Sequence, residues 1–429
     1  MHRTVMTFDA ARTGAAIVSA SVLHPAATSL RQLDALLRHG RVALNAETID
    51  PAGEMKVPAA LLHDFNLRMW AARERRLGDE VERLRRVAGR ATLPVQTACC
   101  TALLAVAQAA LTPAERARTA VVVAGNNFAL ADHALTSAAH ASSPASTPAG
   151  HLLDCFDSDA LGAVGEVTGC TGEGWLIGGS SAAGTLALIH ADRLIRNGDA
   201  ERCLVVAPVN ELSPVDTAAF VRAGAMALLR AGDSPAQACR PFDETRQGFA
   251  LAHIAAAVLL EHPRLARRRA TNMGWILGHG VTTDGKRGTR PDVEGQARVM
   301  AAAVEKAGLS PAAVDYVNAH ATGSVVGDVS EANAIARVFG TAPGPVVNAT
   351  KAITGHGMGA AGVIEAIATL LQLKGGYCHP TPNLTHPISP VLRHVSGHSM
   401  VERMHIAISN SFAFGGISAS LMLALNPRN

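Results

Sequence analysis

Gly174-Trp-Leu-Ile-Gly-Gly-Ser180-Ser181-Ala-Ala-Gly-Thr185 is the stretch on which the reading of this chain turns. A short apolar run enters two glycines and passes into a segment whose small or apolar residues recur at Ala187, Ala191, Leu194 and Ile195. That pattern is a strand, a tight bend and a helix, which together lift a side chain at the bend to a helix N-terminus. Asn197-Gly198 stops the helix, and another strand is expected from Cys203 to Ala207. The side chain presented at the bend is Ser181.

Working outward, short β-branched runs alternate with Ala/Leu-rich helical stretches. The runs lie at 15–20, 120–124, 203–207, 255–260, 346–348 and 406–409, a rhythm that predicts an α/β fold. With 429 residues, 48% hydrophobic and 17% charged, the chain exceeds one simple core, so two fused units are expected. The basic, weakly structured stretch Pro263-Arg-Leu-Ala-Arg-Arg-Arg-Ala-Thr-Asn272 divides them into 1–265 and 266–429. The Ser-rich segment from Ala139 to Gly150 reads as a loop.

A net charge of +3 and 3% aromatic residues give no basis for binding nucleic acid. Seven scattered cysteines without a Cys-x-x-Cys pair form neither a disulfide framework nor a zinc knuckle, which points to a reducing, cytoplasmic setting. The N-terminal residues Met1 to Asp9 lack a basic segment followed by an apolar one. No window approaches the ~20 apolar residues of a membrane helix, so a soluble, unprocessed protein is expected.

Three further blocks follow the bend: Val317-Asn-Ala-His320-Ala-Thr-Gly-Ser324, Ala349-Thr-Lys351-Ala-Ile-Thr-Gly-His356, and Asn410-Ser-Phe412-Ala-Phe414-Gly415-Gly416. Ser181 precedes His320, Lys351 and His356 by 139, 170 and 175 residues. In that order and with those gaps, the blocks resemble the β-ketoacyl synthases of fatty-acid and polyketide assembly. Thr97-Ala-Cys99-Cys100-Thr-Ala-Leu103 imitates the Thr-Ala-Cys nucleophile motif of that family more closely, yet no good strand precedes it. Apolar spacing at Leu103, Ala107, Ala110 and Leu111 places both cysteines in an ordinary buried helix.

The resemblance implies a thiolase-like five-layered αβαβα fold built from two similar halves, usually dimeric. It implies that Ser181 stands where the family carries its cysteine nucleophile. His320 and His356 would donate N–H bonds to a thioester carbonyl, and Lys351 would supply a fixed positive charge with Glu331 as partner. Backbone N–H groups of Ser181 and Phe414 would form an oxyanion hole, supported by the turn that includes Phe412 and Gly415, with Phe414 at the gating position. Two departures stand out: Ala252-His253-Ile254 replaces a Gly-Glu-Gly or Gly-Asp-Gly turn, and Gly-Gly-Ile417-Ser418 replaces Gly-Gly-Thr-Asn.

Two other patterns carry no site. Gly357-Met-Gly-Ala-Ala-Gly362 satisfies the dinucleotide fingerprint, but no acidic residue follows near position 379. His394 and His398 have the helical spacing of a metal pair without an accompanying carboxylate or cysteine, so no metal is assigned.

Serine alters the expected chemistry. A hydroxyl ionises far less readily than a thiol at a helix N-terminus, so acyl transfer is expected to be weak or absent. Loss of carbon dioxide from a malonyl thioester requires only the imidazoles and oxyanion donors. The chain thus looks like the decarboxylating Cys-to-Ser ketosynthases of polyketide β-branching cassettes, which turn malonyl-acyl carrier protein into acetyl-acyl carrier protein beside hydroxymethylglutaryl-synthase-like enzymes. The substrate would arrive on the carrier's phosphopantetheine, with no other cofactor. Alternatives are a non-catalytic chain-length-factor-like partner of a ketosynthase and a condensing enzyme using Ser181. The arginines from Arg73 through Arg76 to Arg83, Arg85, Arg86 and Arg90 are the candidate carrier-docking face.

Overall fold

A computed structural model describes residues 14–50, 53–269, 272–340 and 344–425. The N-terminal segment Met1–Asp9, together with Ala270 and Thr271 of the basic divider, lies outside the described residues.

The N-terminal half forms its sheet from β1 (Ala16–Leu23), β2 (Ala120–Ala124), β3 (Gly174–Ile177), β4 (Arg202–Ala207) and β5 (Ala255–Glu261), in the order β1-β5-β4-β2-β3. The C-terminal half repeats the plan with β6 (Gly274–Thr283), β7 (Tyr316–Asn318), β8 (Val346–Asn348), β9 (Ile406–Ala413) and β10 (Ile417–Ala424), ordered β6-β10-β9-β7-β8. In both halves the first two pairings are antiparallel and the last two parallel. A short antiparallel contact, Ala16 with Trp275 and Ile17 with Gly274, joins them at one margin. This internal duplication is the thiolase-like ketosynthase architecture. No short-period repeat in the sequence announces it, because the halves share topology rather than residues.

Burial explains the layers. β1, β2, β4 and β5 are buried along their whole length, the mark of strands covered on both faces. Outer helices α1 (Leu93–Ala109) and α2 (Ser158–Thr168) cover the first sheet. α4 (Val293–Lys306), with α5 (Gly327–Phe339) packed beside it, covers the second. Between the sheets lie α3 (Ala183–Asn197) and α6 (Ala361–Gly375), which touch each other. Helices approach this closely only where side chains are absent. A Cβ at Gly184 would stand 2.8 Å from the Val363 nitrogen, and one at Gly362 would stand 2.4 Å from the Thr185 nitrogen. The fingerprint-like glycines from Gly357 to Gly362 therefore serve close packing of the turn and helix, leaving no space for a pyrophosphate.

Three expectations need correction. The described part of the basic divider is structured: it opens with the short helix Pro263–Ala266, and Arg269 forks onto Glu261 at 2.6 Å through two nitrogens. His394 lies in the short strand Arg393–His394 beside β8, so its spacing to His398 is not helical. Cys99 and Cys100 lie fully buried inside α1, as the apolar spacing predicts, but Ala110 caps that helix in a left-handed conformation and Leu111 falls beyond it. All seven cysteines are free thiols.

Candidate active site

The elbow forms because β3 ends in Gly178-Gly179 and the chain turns through a 3-10 turn, Ser180–Ala182, directly into α3. Gly179 has φ of +149° and Ser180 has φ of +50°, a conformation that a residue bearing a Cβ rarely adopts. That strain holds Ser181 out of the sheet at the head of the central helix. Its hydroxyl lies 2.8 Å from His356 Nε2.

His356 is fixed from both sides. Its N–H donates to the Ala250 carbonyl at 2.7 Å, and its carbonyl accepts from the Ala252 N–H at 3.0 Å. The segment that departs from the Gly-Glu-Gly pattern is thus the one that holds His356. Within that segment His253 Nδ1 accepts from the Leu62 N–H at 3.2 Å, and burial holds the imidazole at about 4, so it is neutral. Ile254 is fully buried against Gly357, where an added Cβ would meet it at 2.8 Å.

The Met358 N–H donates to His356 Nδ1 at 3.3 Å, made possible by Met358's left-handed backbone at φ +52°. A neutral imidazole that accepts at Nδ1 carries its proton on Nε2. His356 therefore donates toward Ser181 Oγ and cannot take a proton from it. Lys351 Nζ similarly lies 3.3 Å from His320 Nδ1 and leaves His320 with an Nε2–H. Burial first, then the Lys351 charge, pushes both imidazoles well below their ordinary value, so both are neutral donors at pH 7. Their rings stand 5.9 Å apart, nearly perpendicular.

The partner expected for Lys351 is wrong. Its ammonium meets Glu365, a fully buried carboxylate on α6. Burial pushes Glu365 up to about 7 while Lys351 pulls it back. Glu331 instead accepts from the His320 N–H at 2.9 Å, the Ala321 N–H at 2.7 Å and Asn410 Nδ2 at 3.1 Å. Burial still raises Glu331 to about 7. It holds the loop that carries His320, and Asp328 continues the clamp by accepting from the N–H groups of Thr322, Gly323 and Ser324 at 3.1 Å. Sequence reading missed Glu365, although a lone carboxylate in Gly362-Val-Ile-Glu-Ala-Ile-Ala368 was the available signal.

These groups open on one cleft of about 820 Å³, its open mouth included. Ser181, His320, His356, Phe412 and Phe414 all line it. Phe249 stands edge-on to His356 with centroids 5.0 Å apart, and Phe412 stands edge-on to His320 at 5.9 Å. Phe414, 41% exposed, stacks at 6.3 Å on Phe220, which in turn meets Phe249 at 5.6 Å. The turn that carries Phe414 is docked through Gly415 N–H to the Gly288 carbonyl at 3.1 Å. A second set of potential ligand atoms, on Asp132, His151 and Asp154, lies outside the cleft lining.

A duplicated αβαβα fold with a strained elbow hydroxyl and two neutral imidazoles beneath a Phe-Gly-Gly turn defines a ketosynthase-like protein. The chain belongs to the β-ketoacyl synthase family: the family's N-terminal domain matches residues 14–266 and its C-terminal domain residues 273–385. Over 317 residues it is 34% identical to the polyketide biosynthesis malonyl-ACP decarboxylase PksF of Bacillus subtilis (strain 168), a match covering 74% of this chain and 76% of that protein. It is 36% identical over 244 residues to a 3-oxoacyl-(acyl-carrier-protein) synthase 2 of Mycobacterium leprae (strain TN), covering 56% of this chain and 58% of that one. Among solved structures, the ishigamide ketosynthase/chain length factor superposes with a TM-score of 0.83 at 26% identity, over 97% of this chain and 100% of that chain. A β-ketoacyl synthase from Burkholderia phymatum STM815 superposes at 0.81, also at 26% identity, over 96% and 100%.

Proposed function

We propose that this protein decarboxylates malonyl-acyl carrier protein to acetyl-acyl carrier protein, supplying the acetyl donor for β-branching in polyketide assembly. The observation that carries the reading is the Ser181–His356 contact, in which the imidazole donates to a hydroxyl that no neighbouring base activates. The Nε2–H groups of His320 and His356 receive the thioester carbonyl oxygen. As the bond from the α-carbon to the carboxylate breaks, its electron pair passes into the enolate, whose oxygen those donors stabilise. Carbon dioxide leaves, and a proton from solvent on the α-carbon completes the acetyl thioester.

Phe249 and Phe412, set against the two imidazoles, give the departing carboxylate a poorly solvating wall, which favours neutral carbon dioxide over the anion. Backbone N–H groups of Ser181 and Phe414 are the further oxyanion donors in this scheme. Lys351 acts by holding the His320 tautomer, and Glu365 holds Lys351. The thioester is carried by phosphopantetheine of the carrier protein, and no other cofactor is invoked. The decarboxylase name of the Bacillus subtilis relative supports this reading.

The carrier docks on the exposed arginines of Leu67–Arg73, Asp79–Ala88 and the turn between them, where Arg73 and Arg75 are the outward cations nearest the first helix end. Homodimerisation through the edge strand β3 accounts for its exposed Trp175 and Leu176. A hydroxymethylglutaryl-synthase-like enzyme is the consumer of the product. We place the protein in the reducing cytoplasm, where seven unpaired thiols persist; among the described residues no helix is long and apolar enough to cross a membrane.

Purified protein mixed with malonyl-carrier protein tests the reading by intact mass. Loss of carbon dioxide from the carrier, without an adduct on the enzyme, is expected. Inactivity of the protein alone, with tight pairing to a ketosynthase, would establish the chain-length-factor alternative instead. An acyl adduct on Ser181 with an extended product would establish condensation.

A further inference from the structure

Joining two acyl groups requires both to be held at once, one bonded to the nucleophile and one on the carrier arm. A condensing site therefore needs two compartments meeting at the nucleophile, whereas decarboxylation needs one. The turn Ser180–Ala182 that carries Ser181 packs against the turn at Met358–Ala360, and β3, which feeds it, is held to the end of β2 by the Gly125 N–H donating to the Ile177 carbonyl at 2.9 Å.

Asn210, only 6% exposed, is bonded to the Met358–Ala360 turn and to the chain just beyond β2. Its Oδ1 accepts from the Gly359 N–H at 3.1 Å, and its Nδ2 donates to the carbonyls of Asn126 at 3.1 Å and Asn127 at 3.4 Å. One amide thus ties together three segments around the back of the elbow. The packing there has no slack: a Cβ on Gly359 would lie 3.0 Å from Gly125 Cα and 3.1 Å from Asn210 Oδ1. Phe128, 3% exposed, fills the space beside Gly125, where a Cβ would meet its ring at 2.5 Å. None of Gly125, Phe128, Asn210 or Gly359 lines the cleft, whereas Ser181, Met358 and Phe249 do.

We propose that Asn210 is a specificity-determining plug that closes the space behind Ser181, so that this site accepts a short acyl group from one side and cannot store a grown acyl chain. The inference rests on the single-substrate reading of the cleft, and it adds that cysteine alone would not restore a chain-extending cycle. An acyl tail entering this region must displace hydrogen-bonded, close-packed atoms, and overpacking of that kind costs about 5- to 150-fold in an equilibrium or rate.

The test uses Ser181→Cys and acyl-N-acetylcysteamine thioesters bearing acetyl, hexanoyl or decanoyl groups, followed by intact mass. In the loading step the cysteine thiolate attacks the thioester carbonyl. The enzyme thioester forms, the original carbon–sulfur bond breaks, and N-acetylcysteamine leaves as thiolate and takes a proton. The plug predicts that acetyl loads at least about fivefold faster than decanoyl. Adding Asn210→Ala, or Asn210→Ser as a milder change that leaves a hydrogen-bonding hydroxyl near Gly359, should shift the acetyl-to-decanoyl ratio at least about fivefold toward decanoyl.

Equal loading of acetyl and decanoyl by Ser181→Cys overturns the proposal. So does a ratio unmoved by either Asn210 substitution in protein that still loads acetyl. A Ser181→Cys protein whose new thiol is alkylated by iodoacetamide but not loaded by acetyl also counts against it. Where neither double variant folds, the ratio in Ser181→Cys alone decides. Decarboxylation by the unaltered protein is measured separately, so failure of the functional reading and failure of the plug give different results.

Discussion

Replacing Ser181 by alanine separates a hydroxyl that attacks from one that only receives a hydrogen bond. The side chain makes a single 2.8 Å contact, with His356 Nε2–H, and is partly exposed at the cleft wall. Removing one neutral hydrogen bond of this kind costs about 0.5–1.5 kcal/mol, or about 2- to 13-fold in rate if the whole of it is expressed in the transition state. The freed Nε2–H remains available to the thioester, and the backbone N–H at position 181 stays where it was. Decarboxylation by Ser181→Ala is therefore expected to lie between unchanged and about tenfold slower. A covalent nucleophile would behave otherwise, since its removal commonly costs about 10³-fold or more. The assay is time-resolved intact mass of malonyl-carrier protein at saturating substrate, with circular dichroism confirming the fold. A loss beyond about 10³-fold in folded protein would refute the reasoning, because the hydroxyl would then be doing chemistry.

Lys351→Met should lower turnover at least about tenfold by releasing the His320 tautomer, and should destabilise the fold by about 3–5 kcal/mol because Glu365 is left buried without its cation. Lys351→Met with Glu365→Leu should recover stability in denaturant melts but not turnover; joint recovery would contradict the positioning role. Reversing Arg73 and Arg75 to glutamate should raise KM for malonyl-carrier protein and leave a malonyl-N-acetylcysteamine substrate unaffected, with the difference shrinking at high salt. Burial first, then Asp132, raises Glu211 from the ordinary 4.5 to about 7 in the folded chain. Its folded form binds a proton more tightly, so its contribution to stability is present at low pH and is lost as pH rises from about 4.5 through about 7. Glu211→Gln, which stays neutral, should raise Tm relative to the parent more at pH 8 than at pH 5, by up to about 3 kcal/mol in stability before allowance for solvent access. An equal effect at both pH values would show that the carboxyl does not titrate this way.

Much of the fold was legible because its causes are local. The strand runs were read from β-branched clusters that became buried strands, and the elbow from glycines followed by helical spacing. The imitation motif at Cys99 and Cys100 was set aside because its neighbours lack a strand, and both thiols lie inside α1. Legibility failed where a pairing is decided by how separate elements pack, whatever the distance along the chain. Glu331 was expected to partner Lys351, yet its acceptor oxygens are taken by two backbone N–H groups and Asn410, and Glu365 reaches Lys351 from the central helix. The basic divider looked unstructured because Arg269's partner, Glu261, becomes apparent only once β5 is in place.

The order of residues suffices to identify the reactive groups: a hydroxyl in place of a thiol, two histidines and a lysine at family spacing, since residue identity and local bends are written directly in the chain. How those groups work is a matter of folding. Which nitrogen of His356 carries the proton depends on the Met358 N–H, the charge state of both imidazoles depends on burial and on Lys351, and the room behind Ser181 depends on Asn210 reaching Gly359. Each of these is a contact or a desolvation between segments that the duplicated fold brings together, and packing sets it.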